Sequence, residues 1–339
     1  VEVERYKRLF EGFEITHADI KSKSMMVFFV QQTQFTEEEF KQPDELMSRT
    51  VLYVPELSTE NEGFGAYEWN SGIRQGYVHI GDHITMVESF GTVWESRTDN
   101  KWHSVIKGSK ALNFLSGLKQ IGNTLFICAY GRKVYKRLDH NDWFDLIDDE
   151  QHAYVYADIK EREAKGIKHT GYPMGFNQLD GFHEEDIYAS GSHGAFWRYD
   201  GKQWFRVDLP SNRDVRAIVC APNDKVYIVM VDGQIIMGRE DQWKTLENKV
   251  DQSYSFAANV SSAAWFKGKL YMATPFDLYV LDGEDFSKYQ FPENGHKQSS
   301  FGWVTACEEA LLSYGNDQAL IFDGQEWSEI INNPLFAQS

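Results

Sequence analysis

Proline is scarce in this chain, and so is cysteine. Eight prolines in 339 residues are too few for a linker-rich or disordered protein. The three cysteines, Cys128, Cys220 and Cys307, are odd in number, form no Cys-x-x-Cys pair and each sit in an apolar run. That pattern speaks against a disulfide framework. It reads as free, buried, reduced thiols, with a cytoplasmic setting expected. Long apolar runs are missing too. Nothing of signal-peptide or membrane-span length follows the opening stretch Val1 to Arg8, which disfavours secretion without excluding it. Basic residues are in deficit: 34 Lys and Arg stand against 51 Asp and Glu, a net charge of −17. Such a charge repels nucleic acid and anionic membranes and favours a basic protein partner, although it also serves plain solubility.

Catalytic and metal signatures are absent as well. There is no His-Glu-x-x-His, no Gly-x-Ser-x-Gly, no phosphate loop and no calcium loop. His79 and His83 are four apart, but Gly81-Asp82 between them is a turn signal, which favours structural histidines over a metal site. Ser192-His193 lies in a turn with no carboxylate assignable to it. No catalytic residue, metal ligand or cofactor is assigned.

What the chain has in plenty is aromatic side chains, 15% of all residues, including 10 Trp, 17 Tyr and 23 Phe. They are regularly spaced. Trp102, Trp143, Trp204, Trp243, Phe286 and Trp327 follow one another at gaps of 41, 61, 39, 43 and 41 residues. A turn precedes each. Asp200-Gly201, Asp282-Gly283 and Asp323-Gly324 are the strongest forms, with a type I′ geometry expected at Asp200-Gly201 because Gly supplies positive φ cheaply. Asp99-Asn100, His140-Asn141 and Glu240-Asp241 are weaker forms. Upstream of each turn lie two short β-type runs, such as Val226–Val231 with Gln234–Gly238. Ahead of these comes an apolar strand such as Val215–Ala221. Period-2 alternation and frequent turn glycines exclude a helical repeat.

Four antiparallel strands about every 41 residues describe a propeller blade. Six units cover roughly residues 71–331. The residue pattern resembles bacterial β-propellers with Asp-Gly-x-x-Trp repeats, and matches neither the WD-repeat nor the Kelch pattern. The resemblance implies an architecture, not an activity. Residues 1–70 lack the motif but hold strand-like runs at Met25–Gln31, Thr50–Val54 and Gly65–Trp69. The expectation is therefore one all-β domain over residues 1–339, a β-propeller with seven four-stranded blades whose N-terminal strands complete a blade beside the last repeat. Six blades with an N-terminal extension is the alternative. Thr36–Phe40 and Asp44–Arg49 suggest a helical excursion, with Thr36 and Glu39 fitting a capping box. The periodic aromatics are expected in the core, not on a binding stripe.

The architecture maps loops to faces. The first-to-second and third-to-fourth strand turns of each blade share one face; the middle turns and the blade-to-blade connections share the other. The long gap marks an insert at residues 148–172 on the second face, and inserts of this length are often functional. Asp148, Asp149, Glu150, Tyr154, Tyr156, Asp158, Glu161 and Glu163 of the insert are candidate partner-binding residues. Asp232, Asp251, Tyr254, Asp277 and Asp317, from turns and connections of the same face, complete the set. Asp158–Lys165 suggests a short helix. The opposite face is acidic too, at Glu184-Glu185-Asp186, Asp224 and Glu308-Glu309, but Asp at turns answers to backbone geometry.

The function read from this is a non-enzymatic, acidic, cytoplasmic binding protein, monomeric on its own, that engages a basic protein partner 1:1 and neither nucleic acid nor membrane. An immunity or inhibitor protein covering a toxin such as a nuclease is the concrete form. Two other classes stay open. A hydrolase or lyase at the propeller axis would need His and carboxylates on the inner strands, and Val215–Ala221 and Ala257–Ala264 are almost wholly apolar or small. A glycan-binding propeller would need repeated exposed aromatics on one face.

Overall fold

The computed structural model describes residues 3–33, 47–55, 63–70, 76–81, 83–88, 91–96, 101–105, 115–140, 142–147, 150, 154, 157, 158, 160, 161, 164, 166, 175–246, 259–291 and 302–333. A short helix α1 (Val3–Phe10) precedes the first strand. Blade 1 is β1 (Phe13–Ser22), β2 (Met25–Gln32), β3 (Met47–Tyr53) and β4 (Phe64–Asn70). Blade 2 is β5 (Gly76–Ile80), β6 (Ile84–Glu88), β7 (Thr92–Ser96) and β8 (Lys101–Val105). Blade 3 is β9 (Leu115–Ile121), β10 (Thr124–Ala129), β11 (Lys133–Asp139) and β12 (Asp142–Asp145). Blade 4 is β13 (Phe176–His183), β14 (Asp186–Gly191), β15 (Phe196–Tyr199) and β16 (Trp204–Arg206). Blade 5 is β17 (Val215–Ala221), β18 (Lys225–Met230), β19 (Ile235–Arg239) and β20 (Gln242–Leu246). Blade 6 is β21 (Ser262–Phe266), β22 (Lys269–Ala273), β23 (Leu278–Asp282) and β24 (Asp285–Lys288). Blade 7 is β25 (Trp303–Ala306), β26 (Leu311–Tyr314), β27 (Ala319–Phe322) and β28 (Trp327–Ile331). Each blade is a four-stranded sheet with strands in chain order. The fold is a seven-bladed β-propeller.

The chain divides into two compact units. One holds Val1–Glu88, Trp94–Lys101 and Lys249–Ser339; the other holds Ser89–Val93 and Trp102–Asn248. In the first unit, β2 shows why the N-terminal segment folds as a blade. Met26, Val27, Phe28, Phe29 and Val30 are all fully buried, so both faces of the strand are covered. Met26, Phe28 and Val30 pack with Tyr6, Leu9 and Phe10 of α1 and with Leu312, Tyr314 and Ile331 of blade 7. Val27 and Phe29 face Val78, Ile80 and Met86 of blade 2. The period-2 pattern thus distributes one apolar run between two neighbours. Gly76 is required here, because a Cβ on it would sit 2.7 Å from the Phe29 ring. The N-terminal blade therefore packs beside the last repeat, and Ile15 N donates to Asn316 O at 2.7 Å.

Two local expectations are corrected. Met47–Arg49, read as the end of a helical excursion, belongs to β3; residues 36–46 lie outside the described residues. The turn at Asp200-Gly201 has positive φ at Gly201 (88°) but not at Asp200. The Asp200 carboxylate accepts from Lys202 N and Gln203 N, at 3.0 and 2.9 Å. Asp323 does the same for Gln325 N and Glu326 N. The aspartate is selected as a side-chain acceptor inside a longer loop, not for a two-residue type I′ turn.

Of the periodic aromatics, Trp143 and Trp204 are buried, while Trp243, Phe286 and Trp327 are half-buried. The Trp102 side chain lies outside the described residues.

A second regularity links neighbouring innermost strands. These strands do not pair with one another, so their backbone groups need side-chain partners. Within the first unit, Asp19 of β1 accepts from Ile80 N of β5 at 3.0 Å, and His17 Nδ1 accepts from Val78 N at 3.2 Å. Ser262 Oγ of β21 accepts from Val304 N of β25 at 2.7 Å. Within the second unit, Asp180 of β13 accepts from Cys220 N of β17 at 2.9 Å, and Ser116 Oγ of β9 donates to Phe176 O of β13.

Candidate interaction surface

The insert joins β12 to β13 in the second unit. Its described residues Glu150, Tyr154, Ala157, Asp158, Lys160, Glu161 and Ala164 have helical backbone. All of these except Asp158 are exposed. Asp158 is buried and accepts from Arg132 Nη1 at 2.6 Å and from Arg206 Nη1 at 2.7 Å. Arg132 ends a 3-10 turn at Tyr130–Arg132, with φ of 56°, and is only 1% exposed. Its guanidinium lies 5.4 Å from the Trp197 ring centroid. Tyr154, 51% exposed, stands edge-on to the same Trp197 at 5.5 Å. The carboxylate of Asp158 is therefore spent on seating the insert between blades 3 and 4. Glu150, Tyr154 and Glu161 are the candidates the insert presents outward.

The remaining candidates separate by unit. In the second, Asp232 is half-buried, ion-paired with Arg213, and accepts from Gln234 N. In the first, Asp277 pairs with Lys288 at 2.6 Å, and Asp317 accepts from Asn333 Nδ2 at 3.1 Å. Asp148, Asp149, Tyr156, Glu163, Asp251 and Tyr254 lie outside the described residues. Exposed apolar side chains that the repeat pattern did not single out are Leu138, Phe144 and Phe276. No sequence signal marks them, because a lone apolar residue on a strand reads as core.

Within the second unit, the acidic turns at Glu184-Glu185-Asp186 and Asp224 are partly neutralised. Glu184 is held by Lys136 Nζ at 2.8 Å and by Thr124 Oγ1. These hydrogen bonds, that of Lys136 foremost, keep its carboxyl below the ordinary range. Asp186, buried in blade 4, receives Arg198 Nε at 2.8 Å and Arg239 Nη2 at 2.6 Å. Arg239 also reaches Asp224 at 2.6 Å and stacks 3.8 Å over the Phe182 ring.

On the innermost strands of the first unit, Asp19 Oδ2 accepts from His79 Nδ1 at 2.8 Å. Burial works to raise the Asp19 pKa, but the His79 hydrogen bond and charge and the Ile80 N–H outweigh it, leaving the carboxyl below its usual value. Among the described residues no group of three or more His, Cys, Asp or Glu is placed to hold a metal, and no helix is long and apolar enough to cross a membrane. Burial raises the pKa of the Cys128 thiol to about 12. All three cysteines are free.

Charge is divided unequally. The first unit has 15 Lys and Arg against 30 Asp and Glu, a net of −15; the second has 19 against 21, a net of −2. The insert thus belongs to the nearly neutral unit.

No family model matches the chain. A curated relative is similar to it: the protein named Immune protein Tsi7 of Pseudomonas aeruginosa, 30% identical over 217 residues. The match covers 64% of this chain and 64% of the length of that relative. Among solved structures, YCF48 from Cyanidioschyzon merolae superposes with a TM-score of 0.63 at 12% identity, over 91% of this chain and 95% of that one. Virginiamycin B lyase from Staphylococcus aureus superposes with a TM-score of 0.58 at 9% identity, over 90% and 92%. At these identities the structural likeness shows the fold alone.

Proposed function

We propose that this chain is an immunity protein: a non-enzymatic propeller that binds a toxin protein and blocks it. The observation that carries the reading is the 30% identity over 217 residues to a protein named an immune protein. The net charge of −17 adds the partner's character. Complementary charge speeds encounter and rejects wrong partners, so a basic toxin, with the exposed positive surface of a nuclease, is the fitting target. The complex is 1:1, the free chain is monomeric and works in the cytoplasm, and no nucleic acid, membrane or cofactor takes part. Glu150, Tyr154 and Glu161 are contacts offered by the insert.

The test is co-expression of the full chain, in a sensitive bacterial host, with each protein encoded beside its own gene. Restored growth together with a 1:1 complex on light scattering supports the reading. Toxicity unchanged by the chain, with no complex formed, overturns it. Affinity that does not weaken between low and high salt overturns the basic-partner part alone.

A further inference from the structure

The first unit contains an open apolar groove of about 170 Å³ between blades 1 and 2. Leu52 of β3, Gly65 and Ala66 of β4, Ile84 and Met86 of β6 and Trp94 of β7 line it. Its origin is in the sequence. β4 is the outermost strand of blade 1, and Gly65 stands directly opposite Leu52 in the register, so the outer wall has no side chain where one would cover Leu52. A Cβ built on Gly65 meets nothing within 4 Å. Ser96 lines the groove too; of the other polar groups there, Thr50 Oγ1 donates to Met86 Sδ at 3.7 Å, and Trp94 Nε1 to Glu88 Oε1 at 3.0 Å. Apart from Thr50 and Ser96, the groove offers apolar surface, in a volume comparable to cavities that take a benzene-sized guest.

We infer that this groove receives one aromatic or large aliphatic side chain of the partner, set among basic residues. The inference rests on the toxin-binding reading above. The occupant follows from charge: the groove lies in the unit that carries −15 of the net −17, so a chain settling there gains if its flanking residues are Lys or Arg. A buried apolar anchor with a charged surround is the usual energetic plan of a tight interface.

The probe is a set of pentapeptides titrated against the full chain, read by NMR at the Trp94 indole N–H and the Met86 methyl. Lys-Lys-Phe-Lys-Lys should shift both signals saturably. Replacing its Phe by Ala should weaken binding roughly tenfold or more, and replacing its four Lys by Glu should abolish it. Gly65→Phe fills the groove from its own wall, so it should remove peptide binding while leaving the urea midpoint unchanged or higher. Equal binding of the Ala-centred peptide, shifts confined to other residues, or undiminished binding by Gly65→Phe would each overturn the inference. The two readings fail separately. A toxin bound equally by wild type and Gly65→Phe removes the groove and keeps the function. Peptide binding in the groove by a chain that protects against no toxin keeps the groove and removes the function.

Discussion

Replacing Asp180 by alanine would strand two backbone N–H groups at once, those of Gly181 and Cys220, which its carboxylate now holds at 2.9 Å each. Asp180 is 6% exposed, so water does not replace it freely. The expected cost is about 2–3 kcal/mol, with Asp180→Asn costing about half of that because one acceptor oxygen survives; urea unfolding of the three proteins checks it. His17 makes a prediction in pH. Its Nδ1 accepts from Val78 N, so the ring must be neutral there. Burial lowers its pKa to about 4, with the charge of Asp19 opposing and that of His79 assisting. Unfolded, the ring titrates near the ordinary 6.5. Between these values the unfolded chain binds a proton that the folded chain refuses. Stability is therefore complete above pH 6.5 and declines as pH falls toward 4. Unfolding free energies from urea titrations at pH 7 and 4.5 should differ by roughly 1–2 kcal/mol once the ring's partial exposure is allowed for, and His17→Asn should flatten the difference.

At the scale of elements, the insert depends on Asp158. Removing that carboxylate leaves Arg132 buried without its ion pair, which costs about 3–5 kcal/mol where the charge stays enclosed. The cheaper escape is for the insert to lift away. Asp158→Ala is thus expected to raise hydrogen exchange and protease cleavage across residues 148–172 while blades 4 and 5 keep their protection. Uniform loss of protection would instead make Asp158 part of the global core. Trp204→Ala, by contrast, removes a 1%-exposed ring from the cluster with Phe176 and Trp197 and should lower global stability by about 3–5 kcal/mol. These two residues mark what was legible beforehand. Trp204 could be read because its role repeats with the blade, and the repeated turns carry their own backbone chemistry. Asp158 could not: an acidic residue in a long loop reads as exposed unless the positions of Arg132 and Arg206, 26 and 48 residues away, are known. The same blindness hid β1. His17, Asp19 and Lys21 interrupt the apolar pattern of Phe13–Ser22, yet His17 and Asp19 hold the backbone of β5, and Lys21 Nζ donates to Gly81 O at 2.5 Å. Inner-strand polarity here is a blade-to-blade device, which the apolar runs of blades 5 and 6 did not reveal.

For the whole molecule, the unequal charge would decide where the proposed basic partner is drawn. A field summed over many carboxylates steers encounter more than any single pair does, and salt screens it within about 8–10 Å at ordinary ionic strength. With −15 on one unit and −2 on the other, the effect of reversing a charge should depend on its unit. Glu308 and Glu326 are exposed in blade 7, and Glu150 and Glu185 are exposed in the second unit. Glu308→Lys with Glu326→Lys should slow association with the proposed toxin partner several-fold at low salt. Glu150→Lys with Glu185→Lys should slow it by less than twofold, unless the insert itself touches the partner. Stopped-flow association at 50 and 500 mM salt separates the cases. Steering predicts that the blade 7 pair loses its effect at high salt. A direct contact by the insert predicts that the Glu150 pair instead speeds dissociation, and does so at both salt concentrations.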